Sequence, residues 1–139
     1  MKLNIKVITF TLIIFLLNNL NVNSQIFIKA KVNGEIITNY DIENEIKYLI
    51  ALNPRLKELT IKEIDRYAID SAINERVKKI EIEKFYEIVL NNVVIDKVIK
   101  NLYSNLNIED LDSFKKYLID NGTNIKQVKN KIGIEVAWN

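Results

Sequence analysis

The stretch Ala30-Lys31-Val32-Asn33-Gly34-Glu35-Ile36-Ile37-Thr38-Asn39-Tyr40-Asp41-Ile42 decides how this chain begins to fold. From Ile26 to Val32 apolar residues alternate with Lys29 and Lys31, the period of a half-buried strand. Asn33-Gly34 comes next, a pair that takes the positive φ angles of a two-residue hairpin turn at little cost. Glu35-Ile36-Ile37 then returns as the second strand. Strands this short do not stand alone, so the ribbon is expected to pack on helices. Thr38, three residues before Asp41, has the spacing of a capping box, in which hydroxyl and carboxylate each satisfy a backbone N–H of the first helical turn.

Outward from there the apolar period becomes helical. Ile42, Ile46, Leu49 and Ile50 share one face, and Asn53-Pro54 stops the helix because the residue before proline is pushed out of the α region. Thr60 and Glu63 repeat the start signal. Ile64, Ala68 and Ala72 form one stripe and Ile69, Ile73, Val77 and Ile80 another, running on toward Phe85 and Val89; the pattern predicts a long helix buried on two sides. Asn91-Asn92 can cap a third helix carrying Ile95, Val98, Ile99, Leu102 and Leu106. Leu111, Phe114 and Leu118 mark a fourth, ended by Asn121-Gly122, and Ile125, Val128, Ile132 and Val136 a fifth. That stripe still runs at Trp138-Asn139, which suggests a helix cut short and a longer natural protein. The expected fold is mainly α: a short N-terminal β-hairpin and about five amphipathic helices, in one domain over residues 25–139.

Composition agrees with this. The 139 residues include one proline and three glycines, too few turn-formers for a sandwich or barrel. Lys2 and Lys6 precede an uncharged run from Val7 to Leu17, and Asn18 to Ser24 is polar, ending in Val22-Asn23-Ser24 before Gln25. Residues 1–24 read as a secretory signal peptide cut between Ser24 and Gln25, where small side chains are required. The apolar run is about half of the roughly 20 residues that span a bilayer, so no stable membrane span is expected after cleavage. Of 20 basic and 18 acidic residues, cleavage removes two lysines and leaves a formally neutral chain. Such a chain lacks the electrostatic footprint of a nucleic-acid binder.

With no histidine and no cysteine, the commonest general base, the thiol nucleophile and the usual transition-metal ligands are absent. The carboxylate pairs Glu81 with Glu83 and Asp110 with Asp112 are two apart on helices and point to different sides. Three scattered glycines make no phosphate loop. Neither a catalytic site nor a cofactor is expected. What remains is apolar surface: Tyr48, Tyr67, Tyr86, Tyr103 and Tyr117 lie beside wide helical stripes, either as ordinary core or as the lining of a groove.

Residues 30–42 resemble the opening of the SurA-type periplasmic chaperones, where a strand, an N-G or N-D turn and an I-I-T/S-x-x-D-I/V sequence lead into the first helix. Phe114-Lys115-Lys116-Tyr117-Leu118 through Asn121-Gly122, and the helix ending Glu135-Val136-Ala137-Trp138-Asn139, are similar to the same family's N-terminal domain. Ala72-Ile73-Asn74-Glu75-Arg76-Val77 approximates its L-I-D/N-E-x-L/V segment, whereas Tyr86 to Asn92 departs from its polar connector. The resemblance implies a periplasmic chaperone module that binds unfolded outer-membrane polypeptides and assists their assembly without catalysis. Its relatives usually continue into parvulin-type prolyl isomerase domains. The chain is therefore open to two other readings: the leading part of an exported isomerase, or a membrane-tethered domain if residues 1–24 persist. Stripe width singles out Tyr103, Phe114, Tyr117 and Leu118 as the client-binding residues. On that assignment, truncating Tyr103 and Tyr117 together weakens holding and leaves melting nearly unchanged.

Overall fold

The computed structural model describes residues 25–85, 87–88 and 93–139. Strand β1 (Ile28–Val32) pairs antiparallel with β2 (Glu35–Thr38), with Lys31 opposite Ile36 and Val32 opposite Glu35. The turn is the one the Asn-Gly pair favours: Asn33 has φ 47° and Gly34 φ 92°, both left-handed. The strand begins at Ile28, two residues later than the alternation predicts. The register breaks between Ile28 and Ala30, and below it Asn39 takes over: its side-chain oxygen accepts from the Phe27 N–H at 2.9 Å, and its own N–H donates to the Phe27 carbonyl at 3.0 Å.

Helix α1 (Asn39–Leu52) starts on the expected capping box. The Thr38 hydroxyl accepts from the Asp41 N–H at 3.2 Å, and the Asp41 carboxylate accepts from the Thr38 N–H at 2.7 Å. After Asn53 the chain makes a 3-10 turn, Pro54–Glu58, which the periodicity does not announce. Proline with its fixed φ suits the first position of such a turn. Helix α2 (Ile61–Glu83) opens on the second capping box, Thr60 with Glu63.

Two expectations for α2 are corrected. It ends at Glu83 and does not run on to Val89: Ile82 is its last buried side chain, and Phe85, 75% exposed, lies outside the core. Nor is it buried on two sides. Ile64, Ala68 and Ile82 are buried, but Ile69 and Ile73 are only half-covered and Val77 is exposed. A helix that packs against neighbours on one side keeps its second stripe at the margin of the contact.

Helices α3 (Val93–Asn105), α4 (Leu111–Asp120) and α5 (Ile125–Trp138) complete the fold. The Asn91-Asn92 cap expected for α3 lies outside the described residues. The Asp110 carboxylate is the N-cap of α4 and accepts from the Ser113 N–H at 2.8 Å. This hydrogen bond holds its carboxyl below the usual carboxylate range. Gly122, at φ 75°, closes α4: the Gly122 N–H donates to Ile119 O and the Thr123 N–H to Leu118 O, both at 2.9 Å. That is the Schellman pattern, in which glycine takes the left-handed position.

Two apolar clusters result. Ile37, Ile42 and Ala68 bury between the hairpin, α1 and α2, whereas Ala51, Ile95, Ile99, Phe114, Leu118, Val128 and Ile132 bury between α1, α3, α4 and α5. Helix α1 contributes to both.

Candidate functional site

The four residues assigned to client binding from the sequence divide in the structure. Phe114 and Leu118 are 0% exposed and belong to the larger cluster. Their assignment to an exposed surface is corrected: the stripe they define is the one α4 buries. Tyr103 and Tyr117 are half-buried, their rings 5.9 and 6.4 Å from the Phe114 ring. The Tyr117 hydroxyl donates to the Ala51 carbonyl at 2.9 Å, and burial raises its pKa. A tyrosine that ties α4 to the end of α1 contributes to stability, so melting is expected to respond to its truncation. Ser24 lies outside the described residues. Gln25 is exposed, and its carbonyl accepts from the Asn39 side-chain amide at 3.2 Å.

The structure offers a different apolar surface. Between α1, α3 and α5 runs a groove of ≈ 280 Å³, walled by Leu52, Val98, Leu102, Ile132 and Val136. Each helix supplies these residues at helical spacing, on the margin of the stripe that it turns to the core. Val98, Leu102 and Val136 are visible in the sequence as stripe members. Their partial exposure comes from how three helices meet, which periodicity does not encode.

At Tyr48, Lys131 and Glu135 the groove meets a second depression of ≈ 290 Å³, this one polar. Its floor is an ion cluster joining three helices. Lys131 of α5 pairs with Glu45 of α1 at 2.6 Å and with Glu75 of α2. Its ammonium also lies 4.8 Å from the centre of the Tyr48 ring, within range of the ring's negative face. The Ser71 hydroxyl donates to the other Glu45 oxygen at 2.8 Å. Glu45 is 4% exposed, and a carboxylate so buried persists only with a cation and a hydrogen-bond donor of this kind. Burial, then the charges of Glu45 and Glu135, push the Tyr48 hydroxyl well above its ordinary range.

Sequence reasoning missed this cluster, although a signal was present. Glu45 stands three residues from Ile42 and Lys131 three from Val128, each charged residue intruding on an apolar stripe. Above the cluster, Lys78 pairs with Glu135 at 2.6 Å, while Tyr67 and Asp70 line the open side.

Among the described residues no group of three or more His, Cys, Asp or Glu could hold a metal ion, and no helix is long and apolar enough to cross a membrane. Compared with known proteins, the chain matches no family model, no curated protein and no solved structure.

Proposed function

We propose that this chain is a holding chaperone outside the cytoplasm, one that binds unfolded polypeptides, outer-membrane β-barrel chains among them, and performs no chemistry on them. The observation that carries the reading is the apolar groove between α1, α3 and α5, an open surface of aliphatic side chains at the junction of three helices. Grooves of this kind accept an extended or helical segment through its apolar side chains. The likeness of residues 30–42, of Phe114 through Gly122 and of the last helix to SurA-type chaperones points the same way, and the reading of residues 1–24 as a signal peptide supplies the compartment. A shallow groove engages a few side chains at a time, which suits a protein that must release what it holds.

The test is suppression of aggregation of a chemically unfolded outer-membrane barrel protein by the full chain, with an unrelated helical protein as control and the oligomeric state measured beside it. Suppression well above the control is expected, reduced several-fold by Val136→Gln on the groove wall, with the melting curve retained. A monodisperse, folded chain that suppresses no better than the control overturns the proposal. The sole tryptophan, Trp138, two residues beyond Val136, gives a direct fluorescence readout of binding.

A further inference from the structure

We infer that the polar depression beside the groove is a receptor for a basic side chain, so that the segments held best carry an arginine next to their apolar residues. This rests on the holding reading and adds a selectivity to it.

The argument starts from charge. Four carboxylates line the depression, those of Glu45, Asp70, Glu75 and Glu135, against the two ammonium groups of Lys78 and Lys131. Both lysines are committed: Lys131 to Glu45 and Glu75, Lys78 to Glu135. Of the two surplus negative charges, one stays where Glu45 and Glu75 share Lys131, and the other is presented at the open side by Asp70, which is exposed and makes no ion pair among the described residues. A cation entering there meets a carboxylate without having to displace an existing partner.

The shape of that side favours a planar cation. Tyr67, Asp70 and Asn74 succeed one another at spacings of three and four on α2, and therefore share a face. The Tyr67 ring is 50% exposed, an aromatic face beside a carboxylate. A guanidinium stacks on such a ring while donating to the carboxylate and to an amide oxygen, a combination that the compact ammonium of lysine reproduces less well. Because depression and groove share Tyr48, Lys131 and Glu135 as their boundary, one extended segment can place aliphatic side chains in the groove and an arginine against Tyr67 and Asp70. The apolar groove alone does not discriminate among clients; the adjacent charge complementarity does.

Two fluorescent peptides test this by anisotropy with the full chain: an extended apolar segment ending in arginine, and the same segment with glutamine in that place. The arginine peptide is expected to bind about tenfold more tightly at low salt, the advantage shrinking as ionic strength rises. Asp70→Asn and Tyr67→Leu, both at exposed positions, are expected each to remove most of the advantage and to leave the glutamine peptide's affinity unchanged. Equal affinities for the two peptides overturn the inference and leave the holding reading intact. Failure of both peptides to bind while aggregation is still suppressed also overturns it, since clients are then held elsewhere. Failure of both together with no suppression overturns this inference and the holding reading alike.

Discussion

The two halves of the molecule are stabilised by different means. Around Phe114, seven side chains among the described residues are buried in a continuous cluster, and helices α3, α4 and α5 close on it with Tyr103, Tyr117 and Leu102 at the margin. Around Ile37 only three are buried, and the hairpin is tied to α2 by Lys29 with Asp65 at 3.1 Å and Arg76 with Glu35 at 2.5 Å. These pairs are partly exposed, and pairs of that kind contribute less than about 1 kcal/mol each. The comparison teaches where stability resides: the C-terminal half carries the apolar core, and the hairpin half depends on being docked to it through α1 and through the ion pairs between α2 and α5.

The sharpest way to break that contrast is to empty each cluster in turn. Phe114→Ala is expected to cost about 3–5 kcal/mol, and Ile37→Ala about 2 kcal/mol, near the low end for a buried isoleucine, because half-covered neighbours such as Ile46 and Leu49 can close on the gap. Chemical denaturation of the two variants measures both. Equal losses would mean that the hairpin half is as tightly packed as the other.

A second substitution addresses the joint between the halves. Lys131→Met keeps most of the apolar stem of the side chain but leaves Glu45, 4% exposed, without its cation, at an expected cost of about 3 kcal/mol. In a double-mutant cycle, Glu45→Gln with Lys131→Met should recover part of that loss. If the losses simply add, the pair is not a joint.

The smallest effect is invisible at neutral pH. Because the folded protein raises the pKa of the Tyr48 hydroxyl, the neutral phenol is favoured in the fold. The associated stability is fully present below the unfolded value, about 10, and is lost as pH rises above it toward the folded value. Tyr48→Phe is therefore expected to flatten the alkaline limb of the stability curve. Melting curves across that limb check it, and an unchanged limb would place the alkaline sensitivity on other groups.

How much of this is legible in the sequence depends on the range of the interaction. The Asn33-Gly34 turn, the two capping boxes and the Asn121-Gly122 stop are encoded within a few residues, and each is found at its expected place. The 3-10 turn after Asn53 escapes the sequence because proline signals only that a helix ends, not which structure succeeds it. The candidate site is legible in one respect: Val98, Leu102 and Val136, which wall the groove, are members of stripes that the sequence displays. Its location is not, because a stripe shows which residues share a face and leaves open whether a neighbour covers it. Phe114 and Leu118 prove to be covered, while Val98 and Val136, on equally regular stripes, line the opening. The Glu45, Glu75 and Lys131 cluster joins residues far apart in the chain, and only the packing of α1, α2 and α5 brings them together.

That cluster also sets an order of events. A ribosome delivers Glu45 and Glu75 well before Lys131, and until α5 arrives the two carboxylates lack the lysine that neutralises them, which weakens the closing of α1 on α2 in the nascent chain. The α1–α2 contact is therefore completed from α5, the last of the described helices to be made.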